Sequence, residues 1–140
     1  NEKVGALCRA PSPASLEAGR NAFAATVAVW SKVEILRFGP IAEKHRYERL
    51  FFWPDPKGLG DRQVREALAK RDEKVTKPDA LSGKSVALQG LPALEYLLYG
   101  DGAETLAAPS DDGAFRCATW TTMPAWRRRK QSGSSRKPAR

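Results

Sequence analysis

One acid stands inside the most apolar run of the chain. Between Lys84 and Gly100 the residues are KSVALQGLPALEYLLYG, and Glu95 is the only carboxylate among them. A carboxylate there has three uses: it can ligate a hard cation, pair with an arginine such as Arg37 or Arg46, or sit on the solvent side of the helix. Glu34 and Asp55 are further oxygen donors that could join Glu95 around iron or another divalent metal. His45, the one histidine, lies in the charged stretch Glu43-Lys44-His45-Arg46 and reads as solvated. Other chemistries lack their residues. No His-Glu-x-x-His is present, none of Ser31, Ser82 and Ser85 sits in a Gly-x-Ser-x-Gly setting, and Lys57-Gly58-Leu59-Gly60 lacks the spacing and lysine-serine ending of a phosphate loop.

The elements that must position Glu95 follow from periodicity. Val86, Gly90, Ala93, Leu94, Leu97 and Leu98 fall at helical spacing on one face, so the run predicts a core-facing helix. Pro92 interrupts it; a proline in a helix interior costs about 3 kcal/mol relative to alanine, so the helix should kink or restart near Gly90 and Leu91. A kink frees backbone carbonyls, which beside a carboxylate would make a polar pocket. Upstream, Leu16, Phe23 and Trp30 recur every seven residues with Val27 and Val33 on the same side, predicting one long helix from Leu16 to about Arg37, N-capped by Ser15 and ended by Gly39-Pro40. Residues 1–14 read as an irregular lead-in. Ile41 to Phe52 predicts a short helix whose Glu43, Arg46 and Glu48 face outward or pair. Trp53-Pro54-Asp55-Pro56 reads as a rigid corner, with the indole buried and Asp55 capping nearby amides. A helix capped by Asp61 follows from Arg62 to about Arg71, then a short helix or turn at Pro78–Leu81, one or two turns at Ala103–Ala108, and a helix opening at Ala114–Ala118. No alternation demands a strand. The class is all-α, an up-and-down bundle of about four helices.

Composition bounds the partners. The net charge of +8 is localised: residues 121–140 hold seven bases and no acid, leaving 17 bases against all 16 acids in the first 120 residues. A nearly neutral body argues against a nucleic-acid partner for the domain itself. The apolar run is broken by Gln89, Pro92 and Glu95, so no transmembrane segment is expected. The opening at Asn1 carries no charged-then-apolar leader and gives no indication of compartment. Cys8 and Cys117 are either a disulfide or two unpaired small core residues.

VWSKVEILRFGPI (Val29 to Ile41), RYERLFFWPD (Arg46 to Asp55) with the following KGLGDRQV, and GKSVALQGLPALEYLLYG (Gly83 to Gly100) occur in an order that resembles the imelysin family over residues 6–118. These are bacterial periplasmic or surface lipoproteins named for an insulin-cleaving membrane protease and linked to iron acquisition. The resemblance implies an all-α fold of two related bundle halves, of which residues 1–118 are the first, with a site near the junction. It implies export, to the periplasm or an outer-membrane anchor, and with export a Cys8–Cys117 disulfide. The family's Gly-x-His-x-x-Glu signature falls on Gly90, Pro92 and Glu95, so the histidine is replaced by proline. The function so implied is binding of iron or another metal, with other components of an iron-uptake system and the second bundle half as partners. The alternatives are a metallopeptidase, and nucleic-acid or anionic-surface binding through Arg127–Lys130. Residues 119–140, rich in Arg, Ser, Pro and Trp where the family continues with an apolar helix, read as a basic disordered tail, out of frame or a genuine extension.

Overall fold

The computed structural model describes residues 2–122. Seven α-helices occur among them: α1 (Glu2–Arg9), α2 (Pro13–Trp30), α3 (Arg46–Leu50), α4 (Leu59–Ala69), α5 (Pro78–Ser82), α6 (Gly90–Tyr99) and α7 (Asp111–Thr122). Single 3-10 turns connect them at Gly39–Ile41, Glu43–His45, Glu73–Thr76, Val86–Leu88 and Ala103–Ala107, and no strand is found among the described residues. The class is all-α, with more and shorter helices than the four expected.

The apolar run forms the centre. In α6, Leu91, Ala93, Leu94, Tyr96, Leu97 and Leu98 are all buried, with Leu97 and Leu98 each 1% exposed. A helix this apolar must be covered on most sides, and α2, α3, α4 and α7 all pack against it. The restart expected at Gly90 is present: Gln89 is extended (φ −129°, ψ 167°) and separates the Val86–Leu88 turn from α6. Pro92 thereby falls in the first turn of a new helix, where its missing amide has no intrahelical partner to lose.

Five expectations are corrected, the cap of α4 among them. Residues 1–14 are not irregular: α1 buries Val4 and Leu7 against α2, and Cys8 is bonded to Cys117 of α7. Helix α2 begins with Ser12, not Ser15, as its N-cap. The Ser12 hydroxyl accepts from the Ser15 amide at 3.1 Å while the Ser15 hydroxyl accepts from the Ser12 amide at 2.9 Å, a reciprocal capping box with Pro13 at the first helical position. It also stops at Trp30 instead of Arg37. Leu16 and Phe23 are buried and Trp30 packs against the core, but Val27, Val29, Val33, Ile35 and Leu36 are exposed. Without a partner face, the β-branched residues after Trp30 have little to hold them helical, and the chain turns through 31–35. Trp53 is not buried but 65% exposed, its ring stacked on Phe51 at 6.4 Å.

The corner after Trp53 does cap a helix, but by Asp55 and not Asp61. Its Oδ1 accepts from the Leu59 amide at 2.9 Å and its Oδ2 from the Gly60 amide at 2.7 Å, satisfying two free donors at the start of α4. Glu43 and Arg46 pair at 3.3 Å on the surface, as their spacing suggested. No described helix is long and apolar enough to cross a membrane.

Candidate functional site

The start of α6 is built by two consecutive residues, Gln89 and Gly90. Gly90 has φ +77°, and a Cβ there would lie 2.2 Å from the Leu50 carbonyl oxygen and 2.5 Å from that of Arg49. Only glycine allows both the left-handed backbone and the contact with the end of α3. Gln89 is buried, and its Nε2 donates to the carbonyls of Leu81, Lys84 and Ser85 at 3.1, 3.1 and 3.3 Å. The Gln89 amide thus ties the α5 end and the loop after it to the start of α6; Leu81 and Ser85 also accept from the Lys84 and Leu88 amides.

Glu95 lies on the outside. It is one of the few exposed residues of α6 and makes no hydrogen bond or ion pair among the described residues. Neither arginine considered as its partner reaches it: Arg37 donates to the Tyr47 hydroxyl at 3.0 Å and stacks on that ring at 4.3 Å, and Arg46 donates to the Pro40 carbonyl and to Glu43. Glu34 is partly exposed in the turn after α2. Both Asp55 oxygens are occupied by amides, chiefly that of Gly60 and then that of Leu59, which hold its carboxyl below the ordinary carboxylate pKa. His45 is exposed, 3.8 Å from Glu48. Among the described residues no three of His, Cys, Asp and Glu come together in a group that could hold a metal ion. Gly90, Pro92 and Glu95 do lie on one helix, α6, but Pro92 offers no donor atom and Glu95 supplies a single carboxylate. The described residues do not form a metal centre by themselves.

The polar chemistry gathers at the other end of α6. Its last carbonyls, which no intrahelical amide satisfies, are taken by two arginines from different helices. Arg20 of α2 donates through Nε to the Leu98 carbonyl at 3.0 Å, and the Tyr99 hydroxyl returns a bond to the Arg20 carbonyl at 3.1 Å. Arg116 of α7, only 7% exposed, donates to the Leu97 carbonyl at 3.2 Å and to the Asp101 carbonyl. Cations suit a helix C-terminus because its dipole is negative there. Beside Arg116 opens a cleft of about 380 Å³ between α4, α6 and α7, whose lining includes Arg65, Arg71, Tyr96, Asp101 and Asp112. Arg65 donates through Nε to the Tyr96 hydroxyl at 3.1 Å and lies 3.5 Å from Asp101; Arg71 lies 2.5 Å from Asp112. The periodicity of the sequence did not mark these residues, because the arginines come from helices 50 positions apart. The one local signal was Arg116 itself, a charge flanked by Phe115 and Cys117.

The imelysin family model (Peptidase_M75) matches residues 1–124. The chain belongs to the imelysin family. The match takes in every described helix, and both it and α7 continue past residue 118, where the resemblance was expected to end; Thr119 and Trp120 are buried. The remaining tail from residue 123 lies outside the described residues. No curated protein and no solved structure matches the chain. Within that match Pro92 occupies the first turn of α6, a position that tolerates proline and leaves no imidazole one turn from Glu95.

Proposed function

We propose that this imelysin is an exported binding protein serving the acquisition of iron or another metal, and not a peptidase. The observation that carries this reading is the pairing of Pro92 with an unengaged Glu95. A hydrolytic metal centre needs several protein ligands and an open position for water, and on α6 the signature retains one carboxylate. That carboxylate faces solvent and is held by no neighbour among the described residues, so it is free for a ligand arriving from outside. Glu34, partly exposed and also without a side-chain bond among the described residues, is the acid that could join it, whereas Asp55 serves as a cap. Completion of a site then requires donors from beyond the described residues, such as a second bundle half or a partner in the uptake system. A disulfide between α1 and α7 supports an oxidising compartment, the periplasm or outer membrane.

Titration of the full chain with ferric and divalent ions tests the reading. Saturable binding that is lost in Glu95→Ala, with no cleavage of an unfolded protein substrate, is the expected result. Chelator-sensitive cleavage would overturn the binding assignment, and metal affinity unchanged in Glu95→Ala would remove Glu95 from the site.

A further inference from the structure

We propose that the cleft between α4, α6 and α7 is a binding site for a small oxyanion, a carboxylate or a phosphate, held by Arg65, Arg71 and Arg116. Three guanidinium groups line it against two carboxylates, Asp101 and Asp112. Arg116 is the unbalanced one. It is buried and, among the described residues, bonds backbone carbonyls without an ion pair to any carboxylate. Burial pushes its pKa below the ordinary arginine value, with Tyr96, Glu104, Asp112 and Asp101 only partly opposing the loss of solvent. An arginine nevertheless stays charged, and among the described residues only carbonyl dipoles, with no paired carboxylate, balance that charge.

The other two arginines are poised to help. The side chains of Arg65 and Arg71 are 63% and 52% exposed and those of Asp101 and Asp112 are 82% and 65% exposed. Exposed pairs of this kind are worth about 0–1 kcal/mol, so an entering oxyanion competes with weak partners. Guanidinium forks suit planar carboxylate and tetrahedral phosphate alike through paired N–H donors. The Tyr96 hydroxyl accepts from Arg65 and holds that fork toward the cleft. A volume of about 380 Å³ admits a di- or tricarboxylate or a phosphate ester, within the usual range for small-molecule sites. This site is separate from Glu95 and does not depend on the metal reading.

The test is titration of the full chain with citrate and with inorganic phosphate, followed by amide NMR. Saturable shifts of the Gly102 and Thr105 amides, with Arg65→Ala and Arg71→Ala each weakening binding roughly tenfold or more, are expected. The basic tail is common to all three proteins, so its own attraction for anions cancels in the comparison. Both variants alter exposed side chains and leave the core intact, so a change in affinity is not a folding defect. Citrate binding alone assigns a carboxylate ligand, and phosphate binding alone assigns a phosphate. Absence of saturable shifts at millimolar anion, or affinity unchanged from the native chain in either variant, overturns the proposal.

Discussion

Replacing Gly90 by alanine puts two separable penalties on the central helix. The first is conformational: at φ +77° a residue with a Cβ occupies a disfavoured region at a cost of about 1–2 kcal/mol. The second is steric: the new methyl would sit 2.2 Å from the Leu50 carbonyl oxygen, well inside contact, so α3 and α6 must separate. Forcing extra volume into a packed interior costs about 1–3 kcal/mol. Together the change should destabilise by about 2–5 kcal/mol, a large share of the 5–15 kcal/mol typical of a domain. For a domain of this size that lowers the melting temperature by roughly 8–20 °C. Gly58→Ala isolates the first penalty, because Gly58 also has a positive φ (+57°) but nothing within 4 Å of its missing Cβ. Urea unfolding followed by circular dichroism gives both values. A Gly90→Ala loss no larger than that of Gly58→Ala would refute the contact with α3 as the reason glycine stands at the head of α6.

Two further outcomes are expected. Cys8 and Cys117 are 109 residues apart, so reducing their bond should lower stability by about 4–5 kcal/mol in the chain-entropy treatment; equal urea midpoints with and without reductant would argue against it, as would alkylation of either thiol before reduction. Asp55 has a folded pKa held below its ordinary value by the Gly60 and Leu59 amides, so its stabilising effect is fully present above the unfolded carboxylate pKa and is lost as pH falls through the folded one. The stability gap between the native chain and Asp55→Asn should therefore be constant from neutral pH to about 5 and close below about 4; a gap that persists at pH 2 would rule out the ionised cap.

Local chemistry was legible where it depended on neighbours in the chain. The all-α class, the break at Gly90, the short helix at Pro78 and the capping role of Asp55 follow from periodicity, proline geometry and short-range donors and acceptors. The Gly-x-Pro-x-x-Glu segment and the motifs around it pointed to the imelysin family without any tertiary information. What periodicity could not decide was orientation. It put Glu95 inside an apolar run, yet α6 is covered on nearly every side and the acid takes one of the few positions left to solvent. It carried α2 to Arg37, because Val27 and Val33 look apolar whether or not anything packs on them.

By itself, then, the sequence determined the all-α class, the break at Gly90 and which family the chain joins, because those depend on interactions within a few residues; it missed α1 and ran α2 past Trp30. Only the tertiary structure decided which side of each helix meets another. That decision exposes Glu95, buries Arg116 at the C-terminus of α6, and gathers Arg65 of α4, Arg71 of the turn after it and Arg116 of α7 around one cleft. The physical reason is that burial and charge balance are properties of the packed ensemble of helices: each guanidinium of the cleft acquires its meaning from carbonyls and carboxylates brought to it from 15 to 41 positions away.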